Sequence, residues 1–179
     1  MLHTIYYDSP VGRLLLAEKE DDLVGIWMEG QKYFLGTLKK EEKKEGDTAV
    51  LKCTRRWLDR YFKGEKPRID ELVLKPVGSA FQKMVWNVLC QIPYGEVTTY
   101  GKIAEKIAAV QGRSSMSAQA VGSAVGHNPI SIVIPCHRVV GVNGSLTGYA
   151  GGIDKKVKLL TLEGVNMERF FVPSKGTAL

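Results

Sequence analysis

Along residues 2–28 the apolar positions fall in short runs, GRLLLAEK and DLVGIWME, set either side of Asp21-Asp22. Runs of that length bounded by turn residues predict strands joined by a turn. From Thr48 the period lengthens. Val50, Thr54, Trp57, Leu58, Tyr61 and Phe62 share one helical face, and Gly64 and Pro67 end it. Between the two patterns lies KKEEKKEGD, residues 39–47, which reads as a solvated loop or helix end. ELVLKPVG suggests one more strand, and Pro76-Val77-Gly78 a linker.

The rest of the chain is largely helical in period. Ser79 and Gln82 have capping-box spacing. Phe81, Met84, Val85, Val88 and Leu89 then recur at i, i+3, i+4, i+7 and i+8, until Pro93-Tyr94-Gly95 stops them. A second helix starts near Thr99 and buries Ile103, Ala104 and Ile107. After a loop from Gln111 to Met116, a third runs from Ser117 to about Gly126. A strand over Ile130–Ile134, the glycine-rich NGSLTGYAGG and a last helix follow. That helix is expected over Asp154–Glu163, capped by Asp154 and closed by Gly164. The pattern divides the chain into an α/β unit of a small sheet plus helix, residues 1–78, and a mostly α unit, residues 79–179.

Composition narrows the class. A 44% hydrophobic content over 179 residues is enough for a real core. No apolar run approaches the roughly 18 residues of a membrane span, and MLHTIYYDSP lacks a signal-peptide pattern. The expectation is a soluble, cytoplasmic monomer. Cys53, Cys90 and Cys136 are odd in number and form no C-x-x-C, which indicates a reducing compartment. The net charge of +6 is uneven. Residues 1–78 hold 15 basic and 14 acidic residues, and residues 79–179 hold 10 and 5. The excess suits either ordinary solubility or a polyanion partner such as nucleic acid.

Two segments carry candidate chemistry. In SAQAVGSAVGHNP one side, Ala120, Val121, Ala124 and Val125, can pack inward, while Ala118, Gly122, Ser123 and Gly126 keep the other side smooth. Each helical glycine costs roughly 1 kcal/mol relative to alanine. A smooth helix allows close approach, either to a neighbouring helix or to a nucleic-acid groove read without sequence preference. With the preceding helix it forms a helix-turn-helix candidate with a long connection. In IVIPCHRVVG, Cys136 stands at the expected end of a strand beside His137 and Arg138. Metal binding needs several ligands at suitable spacing, and His3, His127, Cys53 and Cys90 are scattered. Burial as a packing residue is the plainer alternative. Neighbouring cations that raise the thiolate fraction favour a nucleophile. No P-loop and no G-x-G-x-x-G after a strand is present.

IPCHRVVG resembles the active-site signature of the O6-alkylguanine-DNA alkyltransferases. FQKMVWNVLCQIPYGEVTTYGKIA, AVGSAVGHNP and GYAGGIDKKVKLLTLEG resemble that family's helix-turn-helix entry, recognition helix with its asparagine hinge, and pocket-closing segment, in family order across residues 79–164. The family's N-terminal half is a ribonuclease-H-like α/β domain, which residues 1–75 fit in outline.

The resemblance implies irreversible, single-turnover transfer of an alkyl group from guanine O6 to Cys136, with no cofactor. O4-alkylthymine is a further candidate lesion. His137 would act as base through a water, oriented by Glu163. Tyr100 would meet a backbone phosphate and donate to the base, and Asn128 would hold the turn before the cysteine. Val139, Tyr149 and Ala150 would line the base pocket. Thr99, Tyr100, Gln119, Ala120, Gly122 and Ser123 would contact duplex DNA carrying the alkylated guanine through its minor groove. No membrane or obligate protein partner is implied. A lesion-binding protein without transfer, a cysteine hydrolase on a small substrate and a helix-turn-helix regulator are the alternatives.

The chain also departs from the family pattern. Gln119 stands where the family carries an arginine finger. The segment from Tyr100 to Ser117 is longer, with Lys102, Lys106 and Arg113 as candidate phosphate contacts. His3 and Cys53 are too few for the N-terminal zinc site of some members.

Overall fold

The computed structural model describes residues 1–174. Its first part is a four-stranded sheet of order β3-β2-β1-β4. β1 (Leu2–Ser9), β2 (Gly12–Lys19) and β3 (Asp22–Met28) form an antiparallel meander, and β4 (Lys43–Glu45) adds parallel to β1. The β2–β3 turn falls on Glu20 and Asp21, one residue earlier than expected. Both have positive φ, 56° and 63°, which matches the right-handed twist of a tight hairpin. The charged run is therefore not all loop: its middle is the exposed edge strand β4.

Both faces of β2 and β3 are covered. Leu14, Leu16, Leu23, Ile26 and Met28 belong to the core that includes α1 (Ala49–Phe62), while Leu15, Ala17, Val24 and Trp27 cluster with Leu38. Thr48 caps α1 by accepting from Leu51 N, and Leu51, Thr54, Trp57, Leu58 and Tyr61 are its buried residues. ELVLKPVG does not make a strand. It touches β3 at one bridge, Leu23 to Leu74, through Leu23 N to Val73 O and Lys75 N to Leu23 O.

The second part is helical: α2 (Ala80–Leu89), α3 (Tyr100–Val110), α4 (Ala118–Gly126) and α5 (Ile153–Leu162). Ser79 and Gln82 close the expected capping box on α2. Trp86 Nε1 donates to Ala124 O at 2.8 Å and pins α2 to α4. A short parallel pair, β5 (Thr98–Thr99) with β6 (Val139–Val140), ties the start of α3 to the segment after the cysteine. One apolar core runs from β2 and β3 through α1 into α2, α3 and α4. Among the described residues no helix is long and apolar enough to cross a membrane.

Two local expectations fail here. Asp154 is not the cap of α5. Gly152 is, with φ 102°, and Asp154 lies within the first turn, where its charge still favours the helix N-terminus. Residues 130–134 are not a strand. Ile130 makes a single parallel bridge to Ile26, and residues 131–133 form a turn with Ile132 at φ +73°. That conformation is a strained one for a β-branched residue.

Candidate active site

The strained turn exists because Asn128 ties both its ends. Its Nδ2 donates to Ile134 O at 2.8 Å, and its Oδ1 accepts from Ile130 N at 3.0 Å. The outer side is held by the sheet: Ile26 N donates to Pro129 O at 2.9 Å, and Ser131 N donates to Ile26 O at 3.0 Å. The chain leaves this clamp at Pro135 and enters a single 3-10 turn, Cys136–Arg138. Cys136 thus opens a helical turn rather than ending a strand.

All three residues of that turn are buried: Cys136 is 5% exposed, His137 0% and Arg138 6%. The side chains of His137 and Arg138 converge on Glu163, the residue that ends α5. The side chains of His137 and Glu163 lie in hydrogen-bond contact, Nε2 to Oε1, at 2.7 Å. Arg138 donates through Nε to Oε2 at 2.8 Å and through Nη2 to Oε1 at 2.9 Å. Tyr61 OH donates to Oε1 at 2.7 Å, and Gly95 N donates to Oε2 at 3.2 Å. Gly95 has φ +79°, and a Cβ there would stand 3.0 Å from the Glu163 carbonyl, so only glycine brings that amide so close.

Burial opposes charge on Glu163, but the hydrogen bonds and charges of His137 and Arg138 outweigh it and hold the carboxyl well below its usual range. Burial also lowers His137, against the pull of Glu163. The imidazole is therefore neutral near pH 7. With its Nε2 proton given to an anionic carboxylate, its Nδ1 is left as an acceptor. Nδ1 has no partner among the described residues. The arrangement leaves a proton acceptor on the residue that follows the thiol in the chain.

Burial pushes the Cys136 thiol up. Three influences oppose that: the Asn128 side chain, the charge of Lys156, and the backbone amides of Cys136 and His137. Arg138 does not supply the expected neighbouring cation, because its guanidinium is committed to Glu163 and to Ile92 O at 2.6 Å. The cation is Lys156. It is 0% exposed, and its Nζ donates to Val139 O at 2.5 Å and Thr147 O at 3.0 Å. Burial brings its pKa down to about 8, and the sulfur opposes that shift. Lys156→Met should raise the thiol pKa further and slow Cys136 alkylation by iodoacetamide at neutral pH by about fivefold. The melting temperature should stay within a few degrees, because a buried cation contributes little net stability over an apolar residue of its size. Thiol labelling and a thermal melt check both.

Tyr100 and Tyr149, whose hydroxyls feel the charge of Cys136, line a groove of about 740 Å³; the buried cysteine itself does not line it. Tyr100, Gln119, Gly122 and Ser123 line one wall, and Tyr149 and Ala150 the other. Tyr100 OH donates to Thr147 O at 3.0 Å and approaches Gly148 O at 3.3 Å. Burial pushes its pKa up to about 12. The Tyr149 hydroxyl is buried without a partner among the described residues. Of the other expected site residues, Thr99 caps α3, Ala120 is half-buried in the first turn of α4, and Val139 is fully buried; none of the three lines the groove. Among the described residues no three His, Cys, Asp or Glu side chains cluster as metal ligands.

Comparison with known proteins matches both halves of the chain. Residues 80–165 fit the DNA binding domain of 6-O-methylguanine DNA methyltransferase, and residues 2–76 its ribonuclease-like domain. The chain belongs to the 6-O-methylguanine DNA methyltransferase family.

Among its relatives, the methylated-DNA–protein-cysteine methyltransferase of Haemophilus influenzae is 40% identical, over 92% of this chain and 87% of that protein. The one of Methanosarcina acetivorans is 44% identical, over 88% of this chain and 96% of that protein. The solved structure of Mycobacterium tuberculosis OGT in complex with DNA is 40% identical, with a TM-score of 0.78 over 94% of each chain.

Three parts of this methyltransferase-family site were not visible in its sequence pattern. Lys156 hides in IDKKVKLL, which reads as a solvated face. Its register with Leu159, Leu160 and Glu163, at i, i+3, i+4 and i+7, is the signal that marks it as buried. Tyr61 comes from the other half of the chain. Lys32 and Tyr33 complete the groove beside α4: Tyr33 stacks on His127 at 3.9 Å, and Lys32 N donates to Ala150 O at 3.1 Å. No local pattern signals these last contacts.

Proposed function

We propose that this protein repairs DNA by direct reversal, moving the alkyl group of an O6-alkylguanine in duplex DNA onto Cys136 once per molecule. The observation that carries this is the buried Cys136 thiol, followed in the chain by a neutral His137 held by Glu163 and felt by Tyr100 and Tyr149 of a groove walled by the smooth helix α4. His137 takes the thiol proton, directly or through one water. The sulfur attacks the alkyl carbon, an S–C bond forms as the O6–C bond breaks, and the guanine leaves as its anion. Tyr100 OH supplies the proton that makes it a better leaving group. No further reactant is required. The relatives' names and the DNA-bound Mycobacterium tuberculosis structure support the same reading.

The target atom lies inside the duplex, so the base is flipped out at a cost of a few kcal/mol, less for a poorly paired alkylated guanine. We read α3, the connection 111–117 and α4 as a helix-turn-helix whose second helix lies in the minor groove. Small residues fit there, and sequence readout is weak. Lys102, Lys106 and Arg113 are exposed for phosphate contact. We read the sheet as ribonuclease-H-like and the two functional units as 1–78 and 79–179, of which residues 175–179 lie outside the described residues. The protein acts as a cytoplasmic monomer.

Gln119 is exposed at the first turn of α4, where it would face the gap left by the flipped base. An arginine there adds charge and a stacking plane. Gln119→Arg should tighten duplex binding or speed transfer by about three- to tenfold. Unchanged affinity and single-turnover rate would remove Gln119 from the duplex.

The deciding experiment incubates the protein with a duplex holding one O6-methylguanine, digests it and weighs the peptide carrying Cys136. One added methyl group per protein is the expected result. An unmodified Cys136 with the lesion intact overturns the proposal.

A further inference from the structure

Five hydrogen bonds reach the Glu163 carboxylate, and one comes from the N-terminal domain. Tyr61 OH donates to Oε1 at 2.7 Å across 102 residues of sequence, to the same oxygen that holds His137 Nε2. The ring is 1% exposed and clamped. It stacks on Trp57 at 5.6 Å, and Phe62 and Tyr94 meet it edge-on at 5.1 and 6.0 Å. Phenylalanine would fill the same space, so packing accounts for the ring but not for the hydroxyl. That hydroxyl has the carboxylate as its one partner among the described residues.

We propose that Tyr61 is a positioning residue of the relay: its hydroxyl shares Glu163 Oε1 with His137 and so sets how strongly the carboxylate holds the imidazole. The proposal rests on Cys136 being the alkyl acceptor and His137 its base. Each donor on a carboxylate makes it less basic. With the Tyr61 hydroxyl gone, Oε1 belongs to His137 and Arg138 alone. The Glu163–His137 bond strengthens, imidazolium is favoured, and His137 stays protonated to higher pH.

Among the described residues, the other groups facing the pair come from the C-terminal domain and are unchanged. Arg138 and Cys136 belong to the same turn as His137, and Gly95 N–H and Tyr94 come from the loop after α2. Tyr149 comes from the pocket loop and Lys156 from α5. Among the described residues, the N-terminal domain thus reaches the Glu163 carboxylate through one hydroxyl.

The test compares the whole protein with Tyr61→Phe and with Tyr7→Phe. Tyr7 is a control on β1 whose hydroxyl binds Asp59 at 2.7 Å, away from the relay. Two rates are followed from about pH 5 to 8, spanning the histidine range: single-turnover methyl transfer from the O6-methylguanine duplex, and Cys136 alkylation by iodoacetamide without DNA. In Tyr61→Phe the acid limb of both profiles should move up by about half a pH unit, roughly threefold in rate at its foot. Tyr7→Phe should superimpose on wild type.

A Tyr61→Phe profile that superimposes on wild type overturns the proposal, whatever its melting temperature, since a purely structural hydroxyl moves stability and not the limb. If that variant does not fold, 3-fluorotyrosine placed at position 61 decides. It keeps the shape and donates more strongly, so the limb should move down, and an unmoved limb overturns the proposal. Wild-type protein that reacts with iodoacetamide but takes no methyl from the duplex sinks the alkyl-transfer reading alone, and the thiol profiles still decide the role of Tyr61.

Discussion

Cys136→Ala should abolish methyl uptake, by at least about a thousandfold, while binding to the lesion duplex stays within about twofold of wild type. Among the three cysteines, Cys136 is the one whose charge reaches the groove residues Tyr100 and Tyr149, whereas Cys53 is exposed on α1 and Cys90 ends α2. Serine in place of cysteine should fail as completely, because a hydroxyl beside a neutral histidine ionises far less readily than a thiol. Binding survives because the residues proposed to meet DNA, on α4 and around Tyr100, are separate from the sulfur. Transfer is read by the mass of the peptide containing residue 136, and affinity by titration of a labelled duplex. A variant that still clears the lesion would mean that another group is the acceptor. A variant that loses binding in parallel would mean that the sulfur supports the groove rather than the chemistry.

Glu163→Gln should lower the transfer rate by about a hundredfold or more and also unfold the protein about 10 °C earlier. Among the described residues the carboxylate is the one acceptor for His137 Nε2, and it neutralises Arg138, which is 6% exposed. An amide offers one acceptor oxygen to five donors and leaves the guanidinium buried without a counter-charge, a loss of about 3–5 kcal/mol. It also releases the imidazole, so His137 no longer presents Nδ1 as the acceptor.

The pH dependence separates this from a general packing defect. The Glu163 carboxyl is held below its unfolded value of 4.5, so its stabilisation is complete above that pH and is lost as pH falls through the lower folded value. The gap in melting temperature between wild type and Glu163→Gln should therefore be widest above pH 4.5 and narrow below it. A gap that does not change with pH would point to packing alone.

The periodic parts of the fold could be read directly from the chain. α1, α2 and α4 each pair an apolar stripe with a Thr or Ser cap, and both signals are local. Cys136 stood out for the same reason, as a short polar cluster at the end of an apolar run. The run itself misled. Ile130, Ile132, Val133 and Ile134 are all buried, as in a central strand, but Asn128 bends them into a turn by hydrogen bonds that periodicity does not register. Arg138 was expected to serve the thiol and serves Glu163 instead. Where its guanidinium points depends on where a carboxylate 25 residues away is placed. Glu163 itself came only from family resemblance, and Tyr61 from neither source. Contacts across such separations are set by tertiary packing, not by local preference.

The clamp between Ile26 and residues 129–131 has a consequence for synthesis. β3 is the outer strand of its sheet, and among the described residues its free edge is covered only at Leu23 by Leu74 and at Ile26 by Ile130. An uncovered strand edge is a site for wrong pairing. On the ribosome the first sheet is complete long before residue 130 appears. At about 5–20 residues per second, the intervening hundred or so residues take on the order of ten seconds. For that interval the nascent chain carries half of an open edge, and the segment that finally closes it is the one that sets Cys136 in place.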